Sequence, residues 1–184
     1  MKATGIVRRI DDLGRVVIPK EIRRTMRIRE GDPLEIYTDR EGEVIFKKYS
    51  PIGELASFAA QYAETLHKTC NLAVVICDRD AVIASSGVPK KEYNDKSLSD
   101  EMEDIISSRS LYVRRESGEK LPVTAGGSSH VVSCAMPIIT EGDIIGCVAS
   151  VTDAAGERNA ELSTDVEIKL IQTAASFLGR QLES

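Results

Sequence analysis

The sequence predicts an α+β chain in two parts: a small β-rich head over residues 1–50 and an α/β body over residues 51–184. Three observations carry this prediction. Two β-turn-β patterns flank one short helix before Tyr49; the later apolar segments switch between strand-like runs and helical 3–4 spacing; and charge divides the chain. Residues 1–48 hold 12 Lys+Arg against 9 Asp+Glu, although the whole chain carries −5. A basic head therefore sits on an acidic body. Hydrophobic residues at 42% and charged residues at 29% exclude a disordered or fibrous chain.

In the head, residues 4–10 read as a strand, and Asp11-Asp12-Leu13-Gly14 as a turn in which Gly14 supplies a positive φ. Residues 15–18 resume as a β-branched strand. Pro19 suits the first turn of a helix, because its missing N–H would have no partner there. The helix over 20–27 places Ile22 and Met26 on one stripe, and Glu30-Gly31-Asp32-Pro33 stops it. Leu34, Ile36 and Thr38 alternate with Glu35 and Tyr37 as a half-buried strand. Asp39-Arg40-Glu41-Gly42 turns the chain, and residues 43–47 form the closing strand.

A module this small buries little of its surface and leans on a metal, disulfides or a second chain. The longest apolar run, residues 72–77, is far short of the roughly 20 residues of a membrane span, and the N-terminus has no apolar segment for a signal peptide. The chain is expected in the cytosol, off the membrane, with its thiols reduced. Its four cysteines (Cys70, Cys77, Cys134, Cys147) show no CxxC spacing, and His67 and His130 are the only histidines, so no metal site is expected. An intertwined dimer is the remaining route to a core.

Seven of the nine cations in residues 1–29 are arginines: Arg8, Arg9, Arg15, Arg23, Arg24, Arg27 and Arg29. A basic head suggests nucleic acid; a solvated helix face is the plainer alternative. Arg23 and Arg27 stand four apart with Arg24 beside them, Arg8 and Arg9 fall on opposite faces of a strand, and Arg15 opens the strand after the turn. A two-fold dimer would repeat each of them across its axis, matching a pseudo-palindromic duplex. Residues 1–48 contain neither Asn nor Gln, which closes the usual bidentate reading of adenine. Arginine to guanine remains, most contacts go to phosphate, and DNA shape carries much of the discrimination. With no Trp and 4% aromatics, base stacking is not the expected mode.

The stretch TGIVRRIDDLGRVVIPKEIRRTMRIREGDPLEIYTDREGEVIFKKY, with its GRVVIPKEIRR core, resembles the swapped-hairpin DNA-binding domain of the AbrB transition-state regulators. The resemblance implies an intertwined dimer whose hairpins form one β-barrel on double-stranded DNA. It places Arg8, Arg15, Arg23 and Arg24 at the family's DNA-contacting positions. Arg9 stands where the family typically has Lys, so the charge persists.

In the body, Pro51 suits a helix start. Ile52, Leu55, Ala59, Tyr62 and Leu66 recur at 3–4 spacing, as do Ile168, Ile171, Ala175, Leu178 and Leu182, with Val166, Leu170, Ala174 and Phe177 as a neighbouring row. Helices over 52–66 and 164–182 either cover a sheet or also pair with a second chain. Residues 72–77, 81–84, 130–139 and 144–151 read as strands, the last two joined by a hairpin turn at Thr140-Glu141-Gly142-Asp143. Residues 97–108 read as a helix, and 86–95 and 116–129 as polar, glycine-rich loops.

The run MPIITEGDIIGCVASVT is similar to the paired late strands of GAF domains, which sense small molecules or dimerise through terminal helices. PIGELASFAAQYAETL, VICDRDAVIASSG and KKEYNDKSLS extend a resemblance to sporulation regulators that join an AbrB-like head to a GAF-like body. This implies a transcription regulator, both activator and repressor, acting at the nucleoid in the forespore. It implies a tetramer: dimers through residues 1–50, joined by a bundle of the terminal helices 52–66 and 164–182. An unidentified ligand is left open, with a pocket bordering residues 113–129; no cofactor is otherwise expected, and no catalytic residue.

Two other classes are weighed. A cysteine-dependent GAF-type redox enzyme or sensor needs an exposed, low-pKa thiol. Cys70, with His67 three residues before it, is the candidate, whereas Cys77, Cys134 and Cys147 lie in apolar strands and read as core filling. His130, beside the Gly126-Gly127-Ser128-Ser129 loop, reads as solvated, and that loop lacks the GKS or GKT of a phosphate site. An antitoxin would share the head but carry a short disordered tail, not a folded body.

Overall fold

The computed structural model describes residues 5–115, 118–153, 155 and 162–183. Thr4, at the start of the first predicted strand, and Glu116 and Ser117 of the predicted loop lie outside them. The chain divides into two compact units, Met1–Tyr49 and Ser50–Ser184.

In the first unit, helix α1 (Lys20–Thr25) precedes an antiparallel hairpin of β1 (Leu34–Thr38) and β2 (Val44–Lys48). The register pairs Ile36 with Phe46 and Tyr37 with Ile45. The connecting turn is built on Asp39. Its N–H bonds Glu43 O at 3.2 Å, its Oδ1 accepts the N–H groups of Glu41 (3.0 Å) and Glu43 (2.9 Å), and Gly42 takes φ +84. Lys48 Nζ donates to Arg27 O at 2.9 Å and lies 3.6 Å from Asp32, tying the hairpin to the end of α1.

Two expectations for this unit are corrected. Among the described residues, 5–10 and 15–18 form no strand, because neither segment is paired into a sheet ladder within the single chain. The helix stops at Thr25 instead of reaching Arg27, whose φ of +51 leaves the helical region, so Arg27 does not continue the row of Arg23. The apolar side chains here find little cover. Val7 is 86% exposed, Leu13 and Val17 70%, and Ile36 64%.

The second unit is a five-stranded antiparallel sheet between two helical layers, with strand order β4-β3-β7-β6-β5. The strands are β3 (Val74–Cys77), β4 (Val82–Ser86), β5 (Tyr112–Val113), β6 (His130–Thr140) and β7 (Asp143–Asp153). Side chains alternate across the sheet. Val74 and Ile76 face helices α3 (Ala56–Cys70) and α6 (Thr164–Leu182), in one core with Ala63, Leu66, Ile138, Ile171 and Leu178. Val75 and Cys77 face the other core, with Tyr93, Leu98 and Met102. That core is closed by α4 (Lys90–Tyr93) and α5 (Asp100–Ser107). Because both faces are covered, the run 72–77 is apolar without alternating.

Local chemistry fixes the element ends. Ser99 caps α5, accepting Met102 N–H at 3.1 Å and donating to Pro122 O at 2.7 Å. Glu141 and Gly142 take φ +48 and +90 between β6 and β7, the geometry of a two-residue hairpin turn. At Gly179 the backbone of α6 meets β6; an added Cβ would sit 2.7 Å from Ile139 O. Near the start of α6, buried Glu167 accepts from Ser150 Oγ at 2.6 Å.

The body also departs from expectation in three places. The helix over 52–66 is two, α2 (Pro51–Glu54) and α3, because Leu55 N–H bonds Ile52 O three residues back (3.1 Å) and Gly53 is a weak helix former. Residues 90–93, read as loop, form α4. Residues 97–98 bridge to Ala81 and Thr124, so α5 starts only at Asp100. Among the described residues no helix is long and apolar enough to cross a membrane.

Candidate nucleic-acid interface

The arginine-bearing segment folds around Asp11. Asp11 N–H bonds Arg15 O at 3.0 Å and Gly14 N–H returns to Asp11 O at 3.0 Å, while Gly14 takes φ +75. One carboxylate oxygen, Oδ1, accepts the N–H groups of Leu13 (3.0 Å) and Arg15 (2.8 Å). The turn thus needs an acceptor at position 11 and a residue tolerant of positive φ at 14, and the sequence supplies both. It brings Arg8 and Arg9 onto one limb and Arg15 onto the other.

Pro19 is buried and sets the start of α1, where Arg23 N–H bonds Pro19 O at 2.9 Å. Arg23 and Arg24 occupy the last turn of α1, where cations complement the helix carbonyls. Arg8, Arg9, Arg15, Arg23 and Arg24 are all exposed. Among them Arg15 alone is held: its Nε donates to Asp11 Oδ2 at 2.9 Å. No side-chain hydrogen bond or ion pair holds the other four among the described residues. Arg15 lowers the Asp11 pKa below its ordinary 3.8, through its backbone and side-chain hydrogen bonds. Five exposed guanidiniums on one small unit suit a polyanion.

Sequence reasoning treated Asp11 as a turn residue and missed its bond to Arg15. The four-residue spacing of acid and base was the available signal.

The body's candidates are placed otherwise. Cys77, Cys134 and Cys147 are buried, and burial together with neighbouring Cys77 pushes the Cys147 thiol well up, away from the thiolate. Cys70 ends α3 half-buried, with Thr69 Oγ1 at 3.5 Å, and no hydrogen bond joins it to His67. His130, expected in solvent, is half-buried. Its Nδ1 lies 2.9 Å from Ser129 Oγ and its ring stands edge-on to Tyr93. A surface pocket of about 410 Å³ is lined by Ser57, Gln61, Glu64, His67, Lys68 and Lys90, away from residues 113–129. Among the described residues no cluster of three or more His, Cys, Asp or Glu could hold a metal.

On the outer side of α3 and α6, Phe177 packs on Phe58 (5.7 Å between ring centres) and Tyr62 (5.5 Å) and stays partly exposed, as does Val166.

Comparison with known proteins gives a match for each unit. Residues 54–183 match the family described as stage V sporulation protein T C-terminal, transcription factor. Residues 7–53 match the family described as antidote-toxin recognition MazE, bacterial antitoxin. Stage V sporulation protein T of Bacillus subtilis (strain 168) is 52% identical over 188 aligned positions, covering 100% of this chain and 99% of that protein. The transition state regulatory protein AbrB of the same strain is 65% identical over 51 residues, 28% of this chain and 52% of that protein. Among solved structures, the GAF domain of an Acinetobacter phosphoenolpyruvate-protein phosphotransferase superposes with a TM-score of 0.51 at 11% identity, covering 70% of this chain and 82% of that one. That last likeness concerns the fold of the body alone.

Proposed function

The chain belongs to the stage V sporulation protein T family of transcription factors, and on that premise we propose that it works as a DNA-clamping oligomer with arginine heads. It is a DNA-binding regulator of sporulation transcription with an AbrB-like head and a GAF-like body. The observation that carries the finer reading is the exposure of Arg8, Arg9, Arg15, Arg23 and Arg24 on the unit most similar to AbrB. These five side chains contact duplex DNA, mostly at phosphate, with a few base edges. The regulator acts at the nucleoid of the forespore, activating some promoters and repressing others.

Oligomerisation completes the head. Val7, Ile10, Leu13, Val17 and Ile36 are too exposed for a stable unit, and an isolated two-stranded hairpin is marginal. A second copy covers them and gives residues 5–10 and 15–18 the ladder partners they lack. A second dimer contact joins body to body through α3 and α6, where Phe58, Tyr62, Val166 and Phe177 remain uncovered or half-covered. The tetramer ties two heads together and raises their effective concentration at paired sites. The body acts through architecture or a bound small molecule, and no catalytic step is assigned to it. The antitoxin likeness is confined to residues 7–53, while the folded body matches a transcription-factor family.

The test is fluorescence anisotropy of a labelled promoter duplex against salt, with the full chain. Binding should fall steeply as salt rises. Arg23→Ala and Arg24→Ala should each weaken binding and flatten the slope of log affinity against log salt by about 0.9 for each phosphate left without its cation. Slopes unchanged in all five arginine variants would refute the contact assignment.

A further inference from the structure

The head contains two turns of one geometry that differ in a single consequence. In each, an Asp opens the turn, its Oδ1 accepts the N–H groups two and four residues on, and a glycine three residues on takes positive φ. At the second turn the residue four on is Glu43, and no hydrogen bond reaches Asp39 Oδ2 among the described residues. At the first it is Arg15, whose Nε returns to Asp11 Oδ2 at 2.9 Å. Closing the turn requires one oxygen. The second oxygen of Asp11 serves only the guanidinium.

This arrangement is costly for plain affinity. A carboxylate on a unit that presents five exposed arginines weakens the attraction of phosphate, and an asparagine would supply the turn's acceptor without that charge. Asp11 gains Arg15 a direction instead. With Nε engaged, the side-on approach through Nε is closed, and the two Nη groups remain as an end-on fork on a side chain 69% exposed. End-on forks match guanine O6 and N7. The four unheld arginines suffice for phosphate, where direction matters little.

The geometry points to Asp11 as a positioning residue for sequence discrimination: it aims Arg15 at a guanine edge in the major groove. This rests on the DNA-binding reading above and adds to it the base class read and the residue that sets it.

The experiment uses the full chain, a duplex that the chain selects from a random-sequence pool, and a scrambled copy of that duplex. In Asp11→Asn the preference for the selected over the scrambled duplex should fall by about tenfold, the scale of one bidentate base contact. Affinity for the scrambled duplex should hold or rise, because a negative charge is gone. Asp39→Asn, the matching change in the other turn, should leave the preference unaltered. Arg15→Lys keeps the charge but has no Nε; it should lose the preference too, and adding Asp11→Asn to it should change nothing further. An unaltered preference in Asp11→Asn overturns the proposal, as does an equal drop when Arg15 is already lysine. Asp11→Ser retains a turn-closing oxygen, and a head that unfolds with both Asn and Ser assigns Asp11 to the turn alone and overturns it as well. A wild-type chain that binds neither duplex would instead remove the DNA-binding reading itself.

Discussion

At Asp11, one carboxylate closes a turn and holds a guanidinium, and its titration reports both. Its pKa is lowered by Arg15 from the ordinary 3.8, so the folded state prefers the ionised form. The sign follows: the contribution to stability is complete above pH 3.8 and is lost as pH falls through the lower folded value. A carbon-detected NMR titration of the full chain should place the Asp11 midpoint below 3.8, and Arg15→Ala should move it back up. A midpoint at or above 3.8 in the native chain would contradict the observed bonds. The residue scale also shows what a sequence conceals. The Asp11–Arg15 pair is visible as an i,i+4 spacing, yet the same letters are fully explained by a turn, as Asp39 and Glu43 show. His130 is similar: its Gly/Ser neighbours suggest solvent, and only the fold brings Tyr93 against it.

Elements were legible where periodicity runs long enough. The hairpin of β6 and β7 was readable because two apolar segments flank Glu141-Gly142, and α6 because its apolar rows span five turns. α4 was not, since four residues cannot display a helical period. The break at Leu55 was hidden for the opposite reason: Ile52, Leu55 and Ala59 keep a continuous seam across two helices. Residues 5–10 and 15–18 carry strand sequence without a strand, because a ladder needs a partner and propensity supplies none. Element packing makes its own prediction. Gly179 lets α6 approach the Ile139 carbonyl, so Gly179→Ala must lift the helix from β6. The improved helix propensity, about 1 kcal/mol at best, should be outweighed, leaving a net loss of about 1–2 kcal/mol in chemical denaturation. Ala at exposed Ser176 of the same helix should be near neutral.

For the whole molecule, the two units differ in how far one chain satisfies them. The body has two cores, one on each face of its sheet, in which Tyr93, Ile76, Leu98 and Leu178 are fully buried. The head leaves Val7, Ile10, Leu13 and Val17 in water. The proposed tetramer follows from that contrast together with the Phe177 patch, and it separates by mutation. Phe177→Asp should split tetramers into dimers on sedimentation velocity while the far-ultraviolet spectrum is kept. It should also weaken binding to a duplex with two sites more than to a duplex with one, since the heads are no longer linked. Tetramers that survive Phe177→Asp would place the body contact elsewhere.

The uncovered head has a further consequence. When the hydrophobic interior of a unit is assembled from two polypeptides, its folding is second-order, and its stability falls with dilution. Halving the amount of such a protein removes more than half of its competent heads near the dissociation midpoint. Unmated heads meanwhile present extended, apolar segments of the kind proteases cut. In the proposed dimer, expression level would act as a threshold: below it chains would be cleared before they reach a promoter, and above it they would pair and persist.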